Sequence, residues 1–371
     1  MDFKKTETHH SMEALSQNIF RDQVSDAYHK LDQARTEGFD ADLWRVLADA
    51  GLLGAIVGED FGGSGLNFLE ASTLLEAQGA VLAKLPLWQS IVAAQAIEKF
   101  GSMQNKQSLL PAFSAGDSHL TIAVAEATGN GLNSILSLND DKVSGCVNNV
   151  AFAKDAAAIL LPLKTERGHV LYLLDLNQDI VTVALQIASN NESHYQLTFH
   201  DMSIDPRRII GPSSSLDMLE WVLQRSYVAI ATLQLGVVEE AIKRTALYVS
   251  ERHQFNKPLA SFQAVSHRAA NGYIDYSSLR ACVWLAAYKI SSGQDATTES
   301  RTAKWWACEA GHRIGHTAQH LHGGMGADID YPIHRYFLWA KQLEYTLGGA
   351  QEQLAQLGKK LADDDGLGIA V

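Results

Sequence analysis

The sequence predicts an α+β protein that is mainly α, with helical domains at both ends and a β domain between them. The first third of the 371 residues carries apolar side chains at helical spacing. Short β-prone runs separated by Gly, Asn and Asp follow. The last part has helical patterns of about 25 residues or longer, which favour an up-and-down bundle. We expect an N-terminal helical domain over 1–118, a middle β domain over 119–213 and a helical bundle over 214–371.

The N-terminal helices are predicted from periodicity and from their end signals. In the segment over residues 31–54, Leu43, Val46 and Leu47 recur on one helical face, and Gly51 suits a helix C-terminus. Two more helices are predicted, over residues 67–83 and 89–101.

The middle and C-terminal elements follow in blocks rather than in alternation. The β runs cover residues 120–128, 142–152, 156–164, 169–176, 180–187 and 195–204. The four bundle helices are predicted over residues 218–255, 264–293, 299–324 and 333–362. Because βαβ alternation and a GxGxxG motif are both absent from the sequence, a Rossmann dinucleotide domain is excluded.

Composition and charge exclude several classes of protein. The formal net charge is −12 and no stretch is rich in Lys or Arg, which argues against a nucleic-acid partner. No apolar run approaches the ~20 residues of a membrane span, and the polar N-terminus leads into no apolar signal segment. The cysteines Cys146, Cys282 and Cys308 are far apart and form no CxxC motif, which suits a reducing compartment. We expect a cytoplasmic protein without a membrane contact.

Three segments in chain order carry a family resemblance. GLLGAIVGEDFGGSGL stands near the N-terminus, RHQFNKPLASFQAVSHRAA after the first long bundle helix, and HLHGGMGADIDYPIHRYF after the third. Together they resemble the acyl-CoA dehydrogenase family over nearly the whole chain. The resemblance implies that family's fold of helical domain, β domain and four-helix bundle, and a tetramer that binds FAD across a subunit interface. It also implies an acyl-CoA substrate and an electron-transfer flavoprotein or similar acceptor.

The second segment implies contacts to a flavin held by a neighbouring subunit. In the family, the arginine at the position of Arg252 reaches the FAD pyrophosphate, where a guanidinium fork suits phosphate oxygens. Phe255, Phe262 and Gln263 also stand at their motif positions. Asn256 replaces the usual glycine, and Asn tolerates the positive φ of such a turn. The alternative is a solvated arginine at a helix end.

The third segment implies a close approach of backbone to the same cofactor. Gly323 and Gly324 lie where the family places paired glycines, and His320 occupies the family's glutamine position. A plain helix C-terminal turn is the alternative. His312, His316 and His320 recur at i, i+4 and i+8, which would put three histidines on one helical face. Since no HExxH arrangement accompanies them, we expect no metal site there.

The family's catalytic base is replaced in this sequence. Counting without gaps from the Tyr-Pro pair of the third segment puts residues 346–351 on the family's Y-E-G-T-S-Q frame, with Leu347 at the glutamate. Some members carry the base on the first bundle helix instead, and Ser226 stands there. Neither side chain is a carboxylate. Glu344 and Glu220 are the nearest candidates for a rescuing base, although a place on an exposed helix face explains both of them better.

The β domain departs from the family in the segments that hold the flavin ring. Active members carry a T/S-E-x-x-x-G-S-D loop. Here Glu126 remains, but the G-S-D reads Gly131, Leu132 and Asn133. The family's tryptophan stretch falls near residues 148–155, which contain no tryptophan. The chain thus keeps the groups that serve a neighbour and loses those that serve its own site.

This asymmetry predicts a non-catalytic subunit in a heteromeric acyl-CoA dehydrogenase, an α₂β₂ heterotetramer with a homologous catalytic chain. By analogy with bacterial steroid side-chain degradation, its substrate would be a sterol-derived CoA thioester. One alternative is a self-sufficient homomeric dehydrogenase that uses Glu344 or Glu220 as base. Another is a flavin-free acyl-CoA-binding or assembly protein.

Overall fold

The computed structural model describes residues 5–32, 37–124, 136–166, 168–176, 181–211 and 216–362. Its N-terminal helices are α1 (Glu7–Gln23), α2 (Asp26–Asp32), α3 (Ala41–Asp49), α4 (Phe68–Val81), α5 (Leu87–Phe100) and α6 (Met103–Ser114). The C-terminal helices are α7 (Leu216–Glu251), α8 (Gln263–Ser291), α9 (Thr297–His322), α10 (Ile333–Tyr345) and α11 (Ala350–Ala362). No helix in these ranges is both long and apolar enough to cross a membrane.

The N-terminal helices begin where a side chain can accept a hydrogen bond from a free backbone N–H. Thr6 caps α1 by accepting from the His9 N–H at 3.1 Å, and Asp40 caps α3 by accepting from the Leu43 N–H at 2.9 Å. Each cap satisfies a donor that the first helical turn leaves without a partner. The helix predicted over residues 31–54 therefore starts only after Asp40, and the glycine after it, Gly51, has a φ of +73°.

The β region forms two four-stranded sheets. The strands are β1 (Leu120–Ile122), β2 (Leu138–Asn139), β3 (Lys142–Ala151), β4 (Ala158–Thr165), β5 (Gly168–Leu174), β6 (Val181–Ile187), β7 (Ser193–Ser203) and β8 (Ile209–Ile210). One sheet has the order β1-β4-β5-β8 and the other β2-β3-β7-β6. β1 pairs parallel with β4, and the other neighbours pair antiparallel. A short hairpin of β9 (His253–Gln254) and β10 (Lys257–Pro258) follows α7.

Two apolar cores hold these elements together. The larger core joins the N-terminal helices, the bundle and side chains from one sheet, including Leu160 and Leu171. A smaller core lies within the β region, around Tyr172, Leu197 and Phe199. The helical–β–helical fold class predicted from the sequence is confirmed.

The prediction of one continuous fourth bundle helix over residues 333–362 is wrong. The chain leaves α10 after Tyr345 and re-enters a helix at Ala350. Between them Leu347 has a φ of +59° and Gly348 a φ of +91°, a left-handed conformation that stops a helix. The loop over residues 346–349 is the segment that matches the family's base motif.

Helices α4 and α7 cross in direct backbone contact. A Cβ on Gly79 would overlap the carbonyl oxygen of Leu233, and a Cβ on Gly236 would overlap that of Glu76. Glycine on both helices therefore lets the backbones touch and joins the N-terminal helices to the bundle.

Candidate active site and cofactor surface

The two positions that could carry the family's base lie in one polar network. Leu347 is 3% exposed, and its carbonyl accepts a hydrogen bond from Gln353 Nε2 at 3.1 Å. The Gln353 side chain also lies near Tyr227, the neighbour of Ser226 on α7. Ser226 is fully buried, and its hydroxyl donates to the Val222 carbonyl at 2.8 Å. The fold thus brings both positions together, and neither side chain can take up a proton as a carboxylate would.

A buried cation fixes the helix end beside this loop. Lys304 is fully buried, and its Nζ donates to the carbonyls of Leu343 and Glu344 at 3.0 Å each. It also lies 3.1 Å from Cys308 Sγ. The last carbonyls of a helix have no partner inside it, and a cation there complements the helix dipole. Lys304 therefore caps α10 at the point where the loop begins.

The carboxylates proposed as rescuing bases are engaged in ion pairs. Glu344 is bound by Lys341 at 2.7 Å and lies 3.5 Å from His312 Nδ1. Glu220 is bound by Arg301 at 2.9 Å. Both carboxylates are therefore engaged by a neighbouring cation and are not free to contact a substrate without breaking that ion pair.

Glu352 is a carboxylate near the loop that the sequence reading missed. It lies in the first turn of α11, and its Oε2 is 2.5 Å from the position that a Cβ on Gly348 would take. Burial raises its pKa, while the nearby Lys304 and Arg301 oppose that rise. In sequence it stands five residues after Leu347 with no motif around it, so only the fold reveals its place.

The residues predicted to serve a neighbour's cofactor lie on the outside of the chain. Arg252 is exposed at the end of α7 and makes no ion pair with any described residue. Phe255 and Asn256 form the tip of the β9–β10 hairpin with φ of +52° and +61°. Phe255 is 87% exposed. A left-handed backbone is unfavourable for an aromatic residue, and so is the exposure of its ring to water. The two costs together indicate that this hairpin contacts a partner.

The other predicted cofactor contacts adjoin this hairpin. Phe262 packs edge-on against Phe255 at 6.2 Å between ring centroids. Tyr248 on α7 stacks on His322 at 4.3 Å, which places the end of α9 beside the end of α7. Gly323 follows with a φ of +59°, and neither Gly323 nor Gly324 has an atom within 4 Å of an added Cβ. We call the set of Arg252, Phe255, Phe262, Gln263, His320, Gly323 and Gly324 the cofactor surface.

The histidines of α9 do not converge. His320 Nδ1 lies 2.8 Å from Arg268 Nη1, whereas His312 faces Lys341 and Glu344. His316 packs its ring against His312 and Phe337. Within the described ranges, no three His, Cys, Asp or Glu side chains are placed to hold a metal ion.

Comparison with known proteins identifies the fold's family. The acyl-CoA dehydrogenase N-terminal domain matches residues 6–117, and the C-terminal domain matches residues 216–362. Acyl-CoA dehydrogenase FadE27 of Mycobacterium tuberculosis is 36% identical over 374 residues, covering 98% of this chain and 99% of that protein. The chain belongs to the acyl-CoA dehydrogenase family. The resemblance predicted from its motifs is confirmed.

Two solved structures share both sequence and fold with the chain. A chain of the ChsE4-ChsE5 complex from Mycobacterium tuberculosis superposes with a TM-score of 0.92 at 35% identity, covering 98% of this chain and all of that one. A variant of the Tcur3481-Tcur3483 steroid ACAD gives a TM-score of 0.89 at 36% identity, covering 96% and 98%.

Some family segments cannot be placed. Glu126 and residues 131–133, where the family's T/S-E-x-x-x-G-S-D loop is altered, lie outside the described residues. The stretch where the family carries a tryptophan, near residues 148–155, lies within the described residues. There Asn149 in β3 is exposed with a φ of +58°, and its N–H donates to Gln186 Oε1 at 3.1 Å. A small polar residue thus stands in the stretch where active family members carry tryptophan.

Proposed function

We propose that this chain is the non-catalytic subunit of a heteromeric acyl-CoA dehydrogenase that desaturates a steroid side-chain CoA thioester. A homologous catalytic chain supplies the base and the seat of the flavin ring, and this chain supplies the cofactor surface across the interface. The assembly is an α₂β₂ heterotetramer, and its acceptor is an electron-transfer flavoprotein or a similar protein. The buried Leu347 at the base position is the observation that carries the proposal.

The cofactor surface suits the phosphate arm of FAD. When bound, the flavin accepts the hydride from the substrate. Arg252 offers a guanidinium fork that makes no ion pair within the described ranges, and such a fork matches phosphate oxygens in pairs. Gly323 and Gly324 leave open space beside the backbone, and Phe255 offers an exposed ring. Arg252 and Phe255 are both exposed, so they are accessible to a flavin held by another subunit.

The chemistry of proton abstraction supports a division of roles between this chain and its catalytic partner. The α-proton of a thioester is weakly acidic, and a positioned general base contributes roughly 10² to 10⁴ in rate. Leu347 has no titratable group, and the Ser226 hydroxyl donates its hydrogen bond to the Val222 carbonyl. A chain that retains this scaffold without a base fits a role in which its partner performs the proton transfer.

Exposed apolar side chains support a protein partner. Beside Phe255, the C-terminal end of α7 exposes Leu247, and the N-terminal half of α8 exposes Tyr273 and Ile274, each about 60% exposed. Large apolar side chains exposed on neighbouring elements suit an interface with another protein chain. Two of the related structures are named as pairs of different chains, ChsE4-ChsE5 and Tcur3481-Tcur3483, and the second is named a steroid ACAD. These names motivate the heteromer and the substrate class.

Co-expression with a homologous chain that carries a glutamate at either base position tests the proposal. We expect a yellow complex with about one FAD per pair of chains, because only the catalytic chain holds a complete flavin seat. Absorbance at the flavin band against protein concentration measures the ratio. A yellow, active preparation of this chain alone would refute the proposal. A complex that forms but stays colourless would instead favour the assembly-protein alternative.

Substituting the carboxylates near the base loop distinguishes the heteromer from a self-sufficient enzyme. We expect Glu220→Gln, Glu344→Gln and Glu352→Gln, each in this chain, to change kcat of the complex by about 3-fold at most. A true general base would cost at least about 10²-fold. Steady-state turnover of a CoA thioester provides the measurement. A loss of 10²-fold or more in one variant, with flavin content unchanged, would identify that glutamate as a base and overturn the non-catalytic role.

A further inference from the structure

A cavity of about 230 Å³ lies where the first helix, α1, packs on α4 beside α7. Its lining residues differ from those of the base loop and of the cofactor surface. Gln17 and Phe20 of α1 form part of its wall, together with Glu76 of α4. Phe20 is fully buried, and Glu76 is mostly withdrawn from solvent. The docked helix α1 therefore helps to keep water away from the carboxyl group of Glu76.

Glu76 shares this cavity with other carboxylates. Glu239 on α7 and Glu13 on α1 line the same space. Glu239 is an ionised acceptor, because it binds Lys243 at 3.1 Å and accepts a hydrogen bond from the Tyr276 hydroxyl at 2.9 Å. Like charges held close together in a poorly solvated place repel one another. An ionised Glu76 would therefore be unfavourable while α1 is docked.

The cations that approach Glu76 from the other helices are already engaged. Lys5, directly before α1, binds the carboxylate of Glu13 at 2.6 Å. Arg280 on α8 donates to the Tyr276 hydroxyl at 3.3 Å. Both cations attract the negative charge of Glu76, but they only partly offset its burial. The remaining titratable groups of the cavity are Arg21 on α1, Asp26 and His29 on α2, Glu240 and Arg244 on α7, and Tyr336 on α10.

This environment changes the charge state of Glu76. Burial, followed by the charge of Glu239, raises its pKa from 4.5 to about 7. If α1 lifts away, water reaches the carboxyl group and its pKa returns toward the ordinary value. The open form is then ionised above pH 4.5, whereas the docked form keeps its proton up to about pH 7. Docking of α1 is therefore weakened progressively as the pH rises across this interval, and the full penalty applies above it.

We propose that α1 is a pH-sensitive strap, which closes over α4 while the Glu76 carboxyl group carries a proton and opens more readily once that group is ionised. The geometry that supports this is the enclosure of Glu76 by α1 and the carboxylates of Glu239 and Glu13 beside it. Opening would uncover Phe20 and one wall of the cavity. The device is local, since it depends on the contact of α1 with α4 and α7.

His9 sets the acid limit of the strap. It lies on the buried face of α1, is 2% exposed and packs against Trp284 of α8 at 5.2 Å between ring centroids. Burial lowers its pKa below 6.5, so the docked helix holds the neutral ring. Protonation of His9 in acid opposes docking, which is the reverse of the effect of Glu76. The contribution of Glu76 is therefore measured from about pH 6 upward.

Hydrogen–deuterium exchange with mass spectrometry tests the strap on the full-length chain, as it purifies alone or with its partner. After correction for intrinsic exchange rates, the opening constant of the α1 amides should rise by about 10-fold from about pH 6 to about pH 8. Glu76→Gln keeps the size of the neutral carboxyl group but cannot ionise. Its α1 opening should stay constant within about 2-fold over that interval. The amides of α9 should show no such rise in either protein.

Two other variants separate the role of Glu76 from a general effect of charge. Glu239→Gln removes the adjacent like charge, so the pH dependence of α1 opening should move to lower pH. This variant keeps the proposal testable if Glu76→Gln fails to fold. Glu240→Gln is the matched control, because that carboxylate lines the same cavity but is bound by Arg244 at 2.9 Å. It should retain the pH dependence of the wild type.

Three results would overturn the strap. One is a wild-type α1 whose opening does not change between about pH 6 and about pH 8. Another is a rise that persists unchanged in Glu76→Gln and in Glu239→Gln. The third is an equal rise in α9, which would assign the change to global unfolding and not to α1.

Discussion

Replacing Arg252 with alanine is expected to yield a folded complex that has lost its flavin. The side chain is exposed at the end of α7 and has no ion pair among the described residues, so its removal disturbs no packing. If it holds the pyrophosphate, two charge-assisted hydrogen bonds of about 1.5–3 kcal/mol each are lost. The Kd for FAD should therefore rise by at least about 10²-fold. Flavin per complex after gel filtration, and fluorescence titration of the stripped complex with FAD, provide the measurement.

Two other variants sharpen that experiment. Arg252→Lys keeps the charge but loses the planar fork, so it should bind FAD with intermediate affinity. Arg313→Ala removes another exposed arginine, one on α9 that is paired with Asp275 and Glu309, and should leave the flavin content unchanged. If Arg252→Ala retained FAD as tightly as Arg313→Ala, the cofactor surface would not reach the partner's flavin, and the in-trans role would have to be abandoned.

The backbone of the outward-facing turns could be predicted from the sequence because it depends on local residues. Asn256 replaces a motif glycine, and the structure gives it the positive φ that this position requires. Gly323 likewise has a left-handed φ directly after α9. Turn chemistry of this kind is encoded over a few residues and needs no distant partner. The same holds for the helix starts, where Thr6 and Asp40 lie directly before the helices they cap.

The environment of the base loop could not be predicted, because it depends on buried charges. A lysine or glutamate in a helical pattern indicates a solvated face, since such residues are rarely buried without a partner. Lys304 becomes buried only because the end of α10 offers it two carbonyls. Arg335 becomes buried where the β6–β7 hairpin meets α10. Neither of these contacts between distant segments produces a periodic pattern in the sequence.

The break between α10 and α11 was not predicted, for a different reason. Apolar residues keep helical spacing on both sides of it, which favours one helix of about 30 residues. Gly348 and Gly349 were the available signal, since adjacent glycines mark a turn. Leu347 has a left-handed φ, which costs a non-glycine residue about 1–2 kcal/mol. The hydrogen bond from Gln353 and the cap from Lys304 offset this cost, so the loop keeps its shape.

Gly236→Ala is expected to destabilise the protein more than any surface change. The added Cβ would overlap the Glu76 carbonyl oxygen and come within 2.7 Å of the Ala80 backbone nitrogen. Both atoms belong to the backbone of α4, so no side-chain rotation can relieve the clash, and α4 and α7 must move apart. Overpacking of this kind costs about 1–3 kcal/mol and occasionally more, and two long helices share the displacement here. Urea unfolding followed by circular dichroism measures the change in midpoint.

Gly272→Ala on α8 is the matched control for that crossing. Gly272 is also buried in a helix, but an added Cβ would meet only Ile314 and Ile242 side-chain atoms at 3.7 and 3.9 Å. Those are ordinary contacts, so alanine should stabilise the helix by about 0.5–1 kcal/mol. Gly79→Ala introduces a Cβ at the same helix crossing from the α4 side. Its destabilisation should therefore not add to that of Gly236→Ala. Equal midpoints for Gly236→Ala and Gly272→Ala would show that α4 and α7 do not cross in backbone contact in solution.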